Sequence, residues 1–156
     1  MESIFKDVDE DRTIVNAKRV LGDYYKWKLR ARRVSFSLQS PAMDGMPKSP
    51  SYGNHVEEKH VNKMNAEFMA NLVINVIKAI EIDDKTAIYT QLLQLKYINR
   101  YTNVKCAQEL DNLPDRTFDK YHREALLLFA EIYPDAVENL IVHKYEPVKQ
   151  LDITIE

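Results

Sequence analysis

The stretch Tyr101–Tyr133, YTNVKCAQELDNLPDRTFDKYHREALLLFAEIY, is where the reading of this chain is decided. Val104, Ala107 and Leu110 step by three residues and predict a short helix with one apolar side. Asp111-Asn112-Leu113-Pro114 ends it. Asn112 tolerates the left-handed backbone of a tight turn, and Leu113 is placed to anchor that turn in a core. Proline is accepted at a helix start and refused inside one, so the next helix is predicted to open at Pro114 or Asp115. Its apolar side is Phe118, Tyr121, Ala125, Leu128 or Phe129, and Ile132. Arg116, Lys120 and Arg123, at i, i+4 and i+7, form a second stripe with Thr117 beside it.

Two helices about a tight turn, the second basic along its exposed first half, are what reading the major groove of DNA requires. Ala107 is the small residue that lets two such helices cross closely. Arginine can grip guanine through two hydrogen bonds, threonine can touch a base or a phosphate, and lysine mainly meets phosphate. Arg116, Thr117, Lys120 and Arg123 are therefore the candidate recognition residues.

Upstream, Arg12–Arg33 holds eight basic residues against one acid, Asp23. Ile14, Ala17, Leu21, Tyr24, Tyr25 and Leu29 recur at helical steps, which predicts a long amphipathic helix with a basic outer face. Its last cations, Lys28, Arg30, Arg32 and Arg33, are candidate phosphate contacts. A solvated helix face is the plain alternative. The overall net charge of −2 conceals this segregation, so it does not argue against nucleic acid.

SPAMDGMPKSPSYGN, Ser40–Asn54, carries half of the six prolines and two of the three glycines. Three prolines so close together forbid regular structure. Beyond it, Val61, Met64, Phe68, Leu72 and Val76 predict a second helix, with Val73, Ile77 and Ile80 widening its stripe. Glu81–Thr86 breaks the pattern, with Asp83 or Asp84 as a cap, and a third helix ends around Asn99. The expected fold is all-α: a basic N-terminal helical segment over 1–36, an irregular linker over 37–55, a helical bundle with the helix-turn-helix over 56–143, and a tail over 144–156.

Composition narrows the functions. Hydrophobic residues make up 45% of 156, enough for a core, and three glycines are too few for a turn-rich β-sandwich. No apolar run approaches the ~18 residues of a membrane span, and MESIFKDVDEDR is too acidic for a signal peptide. The single Cys106 reads as a small packing residue in a reducing cytoplasm. His55, His60, His122 and His143 read as surface residues, since no metal-ligand spacing accompanies them. No phosphate loop, nucleotide-binding glycine pattern or nucleophile motif is present, so neither catalysis nor a cofactor or metal is expected.

The pairing of SPAMDGMPKSPSYGNHVEEK with CAQELDNLPDRTFDKYHREALLLFAE resembles the ArpU family, autolysin-regulatory and late-gene transcription regulators of phages and prophages in Gram-positive bacteria. The resemblance extends from about residue 15 to 133, and the Ser-Pro…Asp-Gly-Met-Pro-Lys-Ser stretch is its more distinctive part. It implies a C-terminal half like region 4 of sigma factors, with the recognition helix at Pro114–Phe129. The turn departs from the glycine-containing turn, with its Ser or Thr cap, that the family often has. Double-stranded DNA is the implied partner, in the cytoplasm of a bacterial host. Host RNA polymerase and a second copy of the chain are further partners the pattern allows. A helical interaction module that docks on RNA polymerase or another regulator without reading DNA is the competing class.

Overall fold

Asp9 starts the fold, because its carboxylate accepts the Arg12 amide at 3.2 Å and its carbonyl accepts the Thr13 amide at 3.0 Å. Such a cap satisfies donors that the first helical turn leaves open, and Glu10 and Asp11 behind it suit the positive end of the helix. The helix α1 that follows spans Glu10–Gln39. The computed structural model describes residues 7–39 and 52–144, with the side chains of 7–37 and 65–144. Within these residues α2 spans Tyr52–Ile80, α3 Ala87–Leu93, α4 Asn103–Glu109 and α5 Asp115–Ile132. Five helices and no strand among the described residues make the fold all-α.

Both long helices extend into the predicted linker, α1 to Gln39 and α2 from Tyr52. Residues 40–51, which hold the three prolines, lie outside the described residues, as do the tail beyond residue 144 and the side chains of His55, His60, Val61 and Met64.

The two long helices form the main packing contact. Ala17 and Ala31 on α1 and Ala66 and Ala70 on α2 are all buried, and such short side chains let two backbones approach closely. Ile14, Leu21 and Tyr24 of α1 join Val73, Ile77 and Ile80 of α2 in one core with Phe118, Ala125, Leu126 and Phe129 of α5. The basic N-terminal segment is thus a wall of the bundle. Its predicted stripe is right at Ile14, Ala17, Leu21 and Tyr24, and wrong at Tyr25 and Leu29, which are exposed. On α2 the buried line runs through Ala66, Ala70, Val73 and Ile77, leaving Phe68 54% exposed. On α5, Ile132 is exposed and Leu126, Leu127 and Tyr133 are buried instead.

Asp83 turns the chain between α2 and α3, its carboxylate accepting the amides of Lys85 and Thr86 at 3.0 Å, but the N-cap of α3 is Thr86 and not the expected Asp83 or Asp84. The buried Thr90 hydroxyl donates to the Ile77 carbonyl at 2.7 Å, so its burial leaves no polar group unmet. After Leu93 the helix loosens into a π turn, Gln94–Ile98.

A returning strap closes the bundle. The Asp9 amide donates to the Val142 carbonyl at 2.7 Å, and the Lys144 amide donates to the Asp7 carbonyl at 3.0 Å. The Val142 amide reaches the Thr13 hydroxyl at 3.0 Å, and the Asn16 amide group reaches the Leu140 carbonyl at 3.0 Å. Leu140 is fully buried beneath this seam, and Arg19 pairs with Glu138 beside it.

Candidate nucleic-acid interface

Thr102 opens α4, with its hydroxyl accepting the Lys105 amide at 3.2 Å. Cys106, Ala107 and Leu110 are buried in the common core. Burial pushes the Cys106 thiol above its ordinary pKa, in keeping with the predicted packing role. Val104 departs from expectation and stands 68% exposed.

The turn is built from the residues the sequence pointed to. Asp111 and Asn112 both take the left-handed conformation, at φ 62° and 57°. These are two residue types that adopt it at low cost without being glycine. The Leu113 amide then closes the turn onto the Ala107 carbonyl at 3.0 Å, and the Leu113 side chain packs against the core. Pro114 stands immediately before α5, and its carbonyl accepts the Phe118 amide at 2.8 Å. The α4 backbone lies closer to the π turn than to α5, so the close crossing expected at Ala107 is not what holds α4 in place.

Buried Phe118, with Ala125 and Phe129 further along, fixes the rotation of α5. That rotation leaves Arg116 and Lys120 exposed and Thr117 half-buried. Among the described residues neither Arg116 nor Lys120 is in an ion pair. Arg123 continues the same stripe, but its guanidinium donates to Glu10 at 3.1 Å and to Asp11 at 3.0 Å. Partial burial works against its charge, and the bonds to Asp11 and Glu10 outweigh it, raising its pKa. Arg123, a candidate DNA contact, is thus paired within the chain where α5 crosses the acidic first turn of α1, unlike Arg116 and Lys120.

The α1 cations divide between two flanks. Lys28 and Arg32 line a groove with Glu67 and Asn71 of α2, whereas Arg30 and Arg33 line another with Trp27 and Asn65. The 28–32 and 30–33 steps each keep to one side of a helix, but about 100° per residue separates the pairs. Arg30 also lies over the Trp27 ring at 5.2 Å.

His122 departs from the expectation of a surface residue. It is half-buried, with Tyr97 at 2.9 Å and the Phe118 ring beside it. Burial first, then the charges of Lys96 and Lys18, lower its pKa to about 4. His143 is exposed, and among the described residues no group of three His, Cys, Asp or Glu side chains is placed to hold a metal. Among them, too, no helix is long and apolar enough to cross a membrane.

One set of cations was missed by the sequence reading. The Lys96 amino group lies 5.6 Å from the Tyr97 ring and donates to Asn103 at 2.6 Å. Arg100 stacks on Tyr25 at 4.0 Å, and Lys105 on Tyr101 at 4.1 Å. The signal lay in KYINRYTNVK, Lys96–Lys105, where basic and aromatic residues interleave.

No family model matches the chain, and no solved structure matches it. Among curated proteins it is similar to ArpU of Enterococcus hirae, a protein named as an autolysin regulator. The identity is 25% over 130 residues, covering 83% of this chain and 92% of that one.

Proposed function

We propose that the chain, similar to ArpU of Enterococcus hirae over most of its length, is a transcription regulator of that family that binds double-stranded DNA in a sequence-specific manner through α4, the turn and α5. The observation that carries the reading is the turn itself. Asp111 and Asn112 at positive φ, with Leu113 drawn into the core, aim α5 so that Arg116 and Lys120 are exposed in its first two turns and unpaired among the described residues. An N-terminal half of a helix presented in this way suits entry into a major groove. The family resemblance, which implies a C-terminal half like sigma-factor region 4, supports a promoter-proximal site and activation of late or lysis-related genes, in the cytoplasm of a bacterial host. Catalysis has no part in this reading.

A second reading, docking on RNA polymerase or another regulator without reading DNA, is favoured by the exposed apolar side chains of Phe68 and Val104. Selection of bound fragments from random DNA separates the two. A sharp consensus whose affinity falls steeply with added salt supports the regulator, since each phosphate contact releases counterions. Recovery of unselected sequence at every salt concentration overturns it.

A further inference from the structure

We infer that the groove between α1 and the π turn, lined by Lys96 and Arg100, is a second contact with duplex DNA that grips the phosphodiester backbone, with Lys105 on Tyr101 as a further cation outside the groove lining. The inference rests on the DNA-binding reading and adds to it a surface outside the recognition helix.

Three observations carry it. The cations are prearranged: each lies over a tyrosine ring, which restricts its rotamers before any ligand arrives. Stacking occupies the face of a guanidinium and leaves its edge donors directed outward, the geometry a phosphate accepts. Among the described residues none of the three is in an ion pair, and the nearby Asp23 is engaged with Lys26 at 3.7 Å.

Next, Arg100 holds φ 61°, a conformation that glycine or asparagine adopts at less cost. This left-handed residue closes the helix end, the Tyr101 amide donating to the Leu95 carbonyl at 3.0 Å, and it sets the Arg100 guanidinium on Tyr25.

Last, Gly22 lines the same groove, of about 450 Å³, from the middle of α1. Glycine weakens a helix interior, yet a Cβ added at Gly22 would meet nothing within 4 Å. Packing within the chain therefore does not require glycine here, and the missing side chain leaves this side of the groove open to a ligand backbone. The groove adjoins α5, since Tyr97 at its edge touches His122.

The test uses the full chain and a random-sequence duplex, with affinity followed by fluorescence anisotropy across a salt series. Arg100→Asn with Lys105→Gln keeps a residue suited to positive φ and removes two charges. It should reduce the slope of log affinity against log salt by about two, at roughly 0.9 per phosphate contact. Sequence preference in fragment selection should be unchanged, because backbone contacts carry none directly. Gly22→Leu should weaken binding several-fold while leaving the melting temperature equal or higher. An unchanged slope in the double variant, with the wild-type chain binding DNA and selecting a consensus, overturns this inference and leaves the regulator reading standing. A wild-type chain that binds no duplex overturns both. Loss of a complex with RNA polymerase, with DNA binding intact, would make the groove a protein-docking surface and overturn the inference as well.

Discussion

The Tyr97 hydroxyl and the His122 Nε2 lie 2.9 Å apart where the π turn meets α5. Burial raises the pKa of the tyrosine and lowers that of the histidine to about 4, so this is a contact between neutral groups. Lys96 and Lys18 add to the cost of charging the imidazole. An unfolded histidine takes its proton near 6.5, ahead of the folded one. Stability from keeping His122 neutral is therefore complete above about 6.5 and is lost as pH falls toward about 4. The melting temperature of the wild-type chain should drop across that window more steeply than that of His122→Gln. Parallel pH profiles would refute the assignment.

On α5, Arg116→Ala should cost about 1–3 kcal/mol on the selected site and relax preference at one base position. Lys120→Ala should weaken all sequences alike and make the salt slope shallower by about one. Two folded variants with unaltered binding would remove α5 from the interface.

Arg123 should behave unlike its neighbours on the stripe. Arg123→Ala should leave the salt slope unchanged and lower stability by less than about 1 kcal/mol, as loss of an exposed ion pair does. Glu10→Gln with Asp11→Asn should release the guanidinium and steepen the slope. A shallower slope in Arg123→Ala would show that the cation reaches phosphate despite its two carboxylate partners.

The two flanks of α1 can be told apart by paired substitutions. Lys28 with Arg32, and Arg30 with Arg33, replaced by glutamine in separate proteins, should have unequal effects on DNA affinity. A duplex lying along one side of the helix meets only one pair. The pair that matters should weaken specific and random DNA alike. Equal losses from both pairs would mean a diffuse electrostatic contribution from the whole helix.

Leu140→Ala should destabilise the fold by about 2–5 kcal/mol in a denaturant titration, because the side chain is fully buried beneath the strap. A loss below about 1 kcal/mol would make the strap a passive tail.

The turn before α5 was legible because its constraints are local. Proline at a helix start, Asn112 at positive φ and an apolar Leu113 are each dictated within a few residues. The stripes were harder to read, since α1 and α2 carry apolar residues on more than one side. There the choice between Phe68 and Ala70 depends on the opposing helix. Small alanines, which add little to any hydrophobic pattern, form much of the α1–α2 contact. The partners of Arg123 and His122 were beyond local reading for a different reason. Glu10 and Tyr97 are brought to them only by tertiary packing, and nothing in the sequence near α5 announces either.

The strap has a consequence for synthesis on the ribosome. Its partners at Asp7, Asp9, Thr13 and Asn16 emerge first, and their hydrogen bonds wait for residues 140–144. At about 5–20 residues per second, α1 spends several seconds as a basic amphipathic helix without that closing seam. A stalled nascent chain ending before Glu138 would expose the start of α1 to proteases. The same chain released after Lys144 would be protected.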